Sequence, residues 1–170
     1  PQISGGGQQE NRRSGTLNVP GIVGLARALE LCLEEMPRDI PRLTQLRDRF
    51  ASDLFAQLDN LTLCGPALEL RYENGTPLRL PGNLDVSFGN VDGEALLMAM
   101  GNLAVSSGAA CSSTDPSPSH VLLALGMSED AARSSLRFGL GRFNTEADIV
   151  AAVERVTSAV RELRKLAISR

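Results

Sequence analysis

Lysine is almost missing. Of the 17 basic residues, 16 are arginines and one, Lys165, is a lysine. Chemistry that needs a Schiff-base lysine must therefore use Lys165 or a lysine outside this chain. Histidine is as scarce, with His120 the single one. Cys32, Cys64 and Cys111 are far apart and form no CxxC pair. Zinc needs its ligands at close spacing, so no metal site of the chain's own is expected. There is no basic excess: 17 − 20 gives a net charge of −3, which excludes the electrostatic footprint of a nucleic-acid binder. Apolar runs are short and interrupted, so neither a membrane span nor a signal peptide is expected. An odd cysteine count without a secretion signal points to a reducing, cytoplasmic setting. No internal repeat is evident. What remains, 170 residues with 42% apolar, suffices for one domain with a proper core, or one domain plus a piece of another.

The most informative stretch runs from Val105 to Pro118. It starts as the end of an apolar run and becomes a loop of small residues, with Pro116 and Pro118 near its far end. None of the four residues on either side of Cys111 is bulky and apolar. A structural cysteine usually has such neighbours, so this composition predicts a mobile loop with an uncovered thiol. Catalytic residues often sit on loops carried by a rigid frame. Two readings stand open from the loop alone. Cys111 is a nucleophile or sulfur carrier, if something lowers its pKa, or a free cysteine in a flexible loop.

Taken in order, the chain opens with a polar, glycine-rich start. Ser4-Gly5-Gly6-Gly7 has no following Gly-Lys-Ser/Thr and is not a P-loop. Arg12 to Thr16 gathers anion-binding groups. Helical spacing of Val19, Ile22, Val23, Ala26, Leu29, Leu33 and Met36 predicts a helix over roughly 19–36. Pro37 and Pro41 should break or kink it. A second helix is expected with Leu43, Leu46, Phe50, Leu54 and Leu58 on one face. Cys32 and Cys64 accompany apolar patterns and read as packing residues.

Leu61 to Leu63 reads as a short strand, and 65–82 as a surface excursion. Leu84, Val86 and Phe88 alternate with polar residues, which marks a half-buried strand. Asp92 should cap a helix carrying Leu96, Leu97, Met100 and Leu103. Val105 should start a short strand leading into the Cys111 loop. Ser117-Pro118 and Gly126 should bound a short helix. His120 falls in its first turn and, with no carboxylate partner in view, reads as structural.

In Ser134 to Leu140, Leu136, Phe138 and Leu140 share one face of a strand. Arg137 then points the other way, between Ser135 and Gly139. Its planar fork of donors suits a carboxylate, but spacing alone does not separate a ligand-binding arginine from an ordinary surface one. Arg142 leans to a structural role. Thr145 with Asp148 resembles a capping box, opening a long amphipathic helix with Ile149, Val153, Val156, Val160 and Leu163 inward and Lys165 outside. The order predicts an α+β layer, a small, mostly antiparallel sheet covered by helices.

Five motifs together resemble the C-terminal part of cysteine desulfurases of the NifS/IscS type, in the class V aminotransferase group. They are Gly5 to Gln8, Arg13 to Leu17, Asn83 to Phe88, Ala104 to Ser113, and Ser134 to Phe138 continuing through Gly141-Arg142-Phe143. They stand in the family's order and cover nearly the whole chain. The resemblance implies a fold-type I, homodimeric pyridoxal-phosphate enzyme. Residues 1–36 would be the end of the large cofactor domain, and 37–170 the small C-terminal domain with the catalytic cysteine loop.

The same resemblance implies that L-cysteine becomes L-alanine while Cys111 keeps the sulfur as a persulfide. Arg137 would bind the substrate carboxylate. Thr16 would reach the partner subunit's cofactor phosphate. The sulfur would pass to an acceptor or iron–sulfur scaffold protein, for cluster assembly or other thio-cofactors, with Cys111 as a transient iron–sulfur contact. The cofactor lysine is expected upstream of Pro1, so the chain reads as a fragment that is inactive alone. It ends at Arg170 without the longer tail through which some members dock a scaffold. Alternatives are a selenocysteine lyase, or a non-catalytic α+β dimerisation or interaction module.

Overall fold

The computed structural model of the chain describes residues 1–107 and 117–168. The loop around Cys111 lies outside the described residues. By its contacts the chain divides into two compact units, Pro1–Arg38 and Asp39–Arg170.

Helix α1 is Val19–Gln57. It runs through Pro37 and Pro41, which corrects the expectation of two separate helices. Each proline removes one backbone donor and crowds the preceding turn. Helix propagation is cooperative and tertiary packing supplies most helical stability. Burial of Leu46, Phe50, Ala51 and Leu54 in the second half supplies that packing here. In the first half, Val19, Ile22, Val23, Leu29, Leu33 and Met36 are exposed.

Before α1, the first unit folds into a tight glycine-rich turn. Ile3 and Arg13 form a parallel bridge, and Ser14 N–H donates to the Ile3 carbonyl at 3.1 Å. Gly5, at φ 156°, is required: a Cβ there would lie 2.9 Å from the Ser14 Cβ.

In the second unit, β1 (Leu61–Leu63), β2 (Asn83–Phe88), β3 (Ser106–Ser107) and β4 (Ser135–Gly139) form one sheet in the order β1-β2-β4-β3. Every pairing in it is antiparallel. The α+β expectation holds. The last strand inserts between β2 and β3, so residues distant in sequence become neighbours.

One sheet face carries the core. Leu84, Val86, Phe88, Leu136 and Phe138 pack with the second half of α1, with α2 (Gly93–Ala99) and with α5 (Glu146–Ile168). Full burial of such side chains contributes about 1.5–3 kcal/mol each. Phe138 meets Phe50 edge-on, with ring centroids 4.9 Å apart. The other face meets a smaller cluster of Cys64, Leu122 and Ala132, with Met127 against it.

Two short helices supply that second layer. α3 is His120–Ala124 and α4 is Glu129–Arg133. The cap of α3 is Ser119, not Ser117: the Ser119 hydroxyl accepts from Leu122 N–H at 3.5 Å. The periodicity does not reveal α4, because five residues are too few to set a period. Its N-cap is Ser128, whose hydroxyl accepts from Ala131 N–H at 3.3 Å. Asp92 caps α2 as expected, accepting from Ala95 N–H at 2.8 Å. The Thr145–Asp148 box is reciprocal: Thr145 N–H donates to Asp148 Oδ2 at 2.8 Å and Asp148 N–H to Thr145 Oγ1 at 3.3 Å.

Candidate active site

The sheet register builds the site. Leu84 pairs with Phe138 and Val86 with Leu136, both toward the core. Strand side chains alternate, so Asp85 with Arg137, and Ser87 with Ser135, occupy the opposite face. β3 then sets Ser106 against Arg137. Asp85, Arg137 and Ser106 thus form one row across three neighbouring strands. Directly opposite residues hold their Cβ atoms about 5 Å apart.

Arg137 is exposed, between Leu136 at 0% and Phe138 at 3% exposure. Its neighbours on that face behave as small residues should. Ser135 is buried and its hydroxyl donates to the Ala132 carbonyl at 2.9 Å. A Cβ added at Gly139 would meet nothing within 4 Å. The planar donor fork of an exposed arginine suits a carboxylate ligand.

Asp85 is the feature the sequence reading passed over. Its Oδ1 is buried and, among the described residues, has no hydrogen-bond partner. Burial pushes its carboxyl up from the usual value, against the thiol of Cys64 and the charges of Arg137 and Arg79, which pull it down. Arg79 is buried too, within the segment read as a surface excursion. It donates to the carbonyls of Cys64 and Pro66, each at 2.6 Å, and to Asn83 Oδ1 at 3.0 Å. Burial and then the like charge of Arg47 push the Arg79 guanidinium below its ordinary value, and Asp85 opposes that. The only local signal for Asp85 was a charged residue inside an alternating strand.

Cys64 is buried, as its apolar pattern implied. Its thiol lies 3.9 Å from the Thr62 carbonyl oxygen and also reaches the Asp85 carboxylate. Burial, then the charge and hydrogen bond of Asp85, push it up to about 12. Such a thiol stays protonated at neutral pH and is no nucleophile. Cys32 corrects the packing expectation, because it is exposed on the first half of α1. The apolar residues around it on that helix are exposed as well, so the pattern marks a face rather than a core.

Cys111 lies outside the described residues. β3, the strand that leads to it, ends at Ser107. His120 is exposed at the start of α3. The backbone carbonyl of Arg142 accepts from Arg42 Nη2 at 2.8 Å, and that of Asn144 from Arg42 Nη1 at 2.6 Å. These two bonds tie the Arg142–Asn144 backbone to α1.

Thr16 belongs to the first unit and is exposed. Arg13 Nη1 donates to the carbonyls of Gly15 at 2.8 Å and Thr16 at 3.1 Å. Gln8 Oε1 accepts from Gly15 N–H at 3.0 Å, and Ser14 Oγ from Gly7 N–H at 3.2 Å. The two glycine-bearing motifs therefore hold each other, and Thr16 stands at their open end. Among the described residues, no group of His, Cys, Asp and Glu could hold a metal ion. No helix among them is long and apolar enough to cross a membrane.

Residues 3–151 match the family model described as aminotransferase class-V. The chain belongs to that family. Among curated class-V relatives, it is 49% identical over 165 residues to "Cysteine desulfurase IscS" of Anaeromyxobacter sp. (strain K). It is 43% identical over 166 residues to "Cysteine desulfurase IscS" of Rickettsia akari (strain Hartford). These alignments cover 97% and 98% of the chain but 39% and 38% of the relatives, so the chain spans about two fifths of their length. A solved NifS-like protein superimposes with a TM-score of 0.77 at 32% identity, covering 96% of this chain and 39% of that one. The NifS-like protein from Rickettsia africae gives a TM-score of 0.75 at 29% identity, with 95% and 40% covered.

Class-V aminotransferases imply pyridoxal phosphate, and the residues present fit part of that group. The exposed Thr16 hydroxyl, presented on a turn braced by Arg13 and Gln8, suits a phosphate oxygen. The aldehyde is not matched. Lys165 sits in the last turn of α5, on the surface.

Proposed function

We propose that this chain is the C-terminal part of a pyridoxal-phosphate-dependent cysteine desulfurase, a sulfurtransferase that converts L-cysteine to L-alanine. Residues 1–36 complete the large cofactor domain and 37–170 form the small domain. Family membership and the names of the relatives support the reaction class. The observation that carries the residue roles is the pairing of exposed Arg137 with Ser106. Cys111 follows Ser106 by five residues, a span of at most about 18 Å. A carboxylate grip and a thiol are thereby tied to adjacent strands.

In this reading Arg137 takes the substrate carboxylate through paired N–H donors. Pyridoxal phosphate, when bound, supplies the electron sink that lets the substrate's carbon–sulfur bond break. The Cys111 thiolate attacks the substrate sulfur. An S–S bond forms as the C–S bond breaks, alanine leaves with a proton on its β-carbon, and Cys111 holds a persulfide. Thr16 donates its hydroxyl to the cofactor phosphate of the partner subunit in a homodimer. The persulfide passes to an acceptor thiol or an iron–sulfur scaffold protein, and a reducing cytoplasm suits such a carrier. The aldehyde-binding lysine comes from outside these residues, so the chain is inactive alone.

The test uses the complete dimer loaded with cofactor, given cysteine without reductant. Mass spectrometry should find one extra sulfur on the peptide containing Ala109-Ala110-Cys111-Ser112. Cys111→Ser should abolish sulfide release yet still bind cysteine. Persulfide chiefly on Cys32 or Cys64, or a fully active Cys111→Ser enzyme, overturns the assignment.

A further inference from the structure

We infer that Asn74 is a site of spontaneous deamidation. The backbone nitrogen of Gly75 closes on the Asn74 side-chain amide, and water then leaves an aspartate or an isoaspartate at the tip of a hairpin in the 65–82 excursion.

The hairpin presents the pair. Arg71 and Pro77 form an antiparallel bridge. Inside it, Tyr72 N–H donates to the Thr76 carbonyl at 2.8 Å and Gly75 N–H to the Tyr72 carbonyl at 2.9 Å. Every residue from 71 to 77 is exposed, so water and hydroxide reach the tip. Among the asparagines, Asn74 alone precedes a glycine. A following side chain would shield the attacking nitrogen, and Gly75 has none. Its φ of 82° strains any residue with a Cβ, so the turn itself selects the residue that leaves the nitrogen bare. Thr76 N–H donates to Asn74 Oδ1 at 3.0 Å. That bond folds the side-chain amide back along its own backbone and draws electrons from Cγ, the atom under attack. One contact opposes the reaction, because the Gly75 N–H must leave the Tyr72 carbonyl before its proton is lost. An exposed tip with no buried side chain opens at low free-energy cost, so this bond slows the reaction without preventing it.

The chemistry needs water and hydroxide and no oxidant or reductant. Hydroxide takes the Gly75 amide proton, and the nitrogen forms a bond to Asn74 Cγ. The Cγ–Nδ2 bond breaks, and ammonia leaves with a proton from water. A five-membered imide remains, and water adds to one of its two carbonyls. Release of the nitrogen from Cγ gives an aspartate. Release from the Asn74 backbone carbonyl gives isoaspartate, which adds one methylene to the main chain. Either product places a new negative charge beside Glu73, and isoaspartate also lengthens the turn.

The test uses this chain as it is, held at pH 7 and at pH 9 and sampled over days. Trypsin cuts after Arg71 and Arg79 and releases peptide 72–79, which carries the single tyrosine. Mass spectrometry should find a product one mass unit heavier. It should separate into two chromatographic peaks, one of them a substrate for an isoaspartyl methyltransferase. Conversion should be faster at pH 9 than at pH 7, and within roughly tenfold of the rate in the free peptide 72–79. Asn74→Gln should abolish it, because the ring would then need six members. Asn11, Asn60 and Asn90 should keep their amides over the same period. A folded chain that keeps the Asn74 amide while the free peptide converts overturns the inference, since the turn then protects the site. Conversion to aspartate with no isoaspartate overturns the attack by Gly75. Equal conversion at the other asparagines overturns the assignment to this hairpin.

Discussion

Native Cys64 should be almost inert to alkylation, and the size of the effect follows from its surroundings. The thiol is raised from 9.0 to about 12 by burial and by Asp85. Iodoacetamide reacts with the thiolate. At pH 8 an ordinary thiol of this kind is roughly one-tenth ionised, whereas native Cys64 is ionised to about one part in ten thousand. Its native labelling rate should therefore fall about a thousandfold below that of the unfolded chain, before any steric exclusion. A pulse of iodoacetamide, a quench and peptide mass spectrometry measure both rates. The same shift fixes a pH dependence. A thiol whose folded pKa is raised binds its proton more tightly in the native state. Its contribution to stability is complete below pH 9 and is lost as pH rises toward about 12. Urea midpoints should hold to pH 9 and then decline, and Cys64→Ala should flatten that decline. Labelling of native Cys64 within tenfold of the unfolded rate would refute the buried, acid-held thiol, and with it the ground for excluding Cys64 as a sulfur carrier.

Two stability predictions test the frame under Arg137. Phe138→Ala removes a ring that is 3% exposed and meets Phe50 edge-on, so urea unfolding should show a loss of about 3–5 kcal/mol; a loss under about 1 kcal/mol would mean the β4 face is not packed as described. Thr145→Ala removes one arm of the reciprocal cap on α5 and should lower stability by about 1 kcal/mol, with Thr145→Ser restoring most of it.

The sequence by itself determined whatever depends on neighbours along the chain. Leu84, Val86 and Phe88 declared their face by alternation, and Leu136 and Phe138 did the same around Arg137. Asp92, Thr145 and Asp148 announced helix starts through side chains that satisfy nearby N–H groups. The α+β class followed from those elements. Pro37 and Pro41 misled, because a propensity rule reads only the local loss of a donor, while packing around Leu46, Phe50 and Leu54 maintains the helix. Cys32 misled for the opposite reason: an apolar stripe says that a face exists and not what covers it. Ser119 displaced Ser117 as a cap by two positions, a choice between near-equivalent hydroxyls. The tertiary structure alone decided what strand order brings together. β4 lies between β2 and β3, so Arg137 meets Asp85 from 52 residues earlier and Ser106 from 31 earlier. Arg79, in a stretch that looked like surface, is buried beneath the sheet's polar face by hydrogen bonds to Cys64, Pro66 and Asn83. The raised thiol of Cys64 and the orphan oxygen of Asp85 are consequences of that burial. Desolvation and coulombic coupling depend on distance in space, and no local pattern in the chain encodes it.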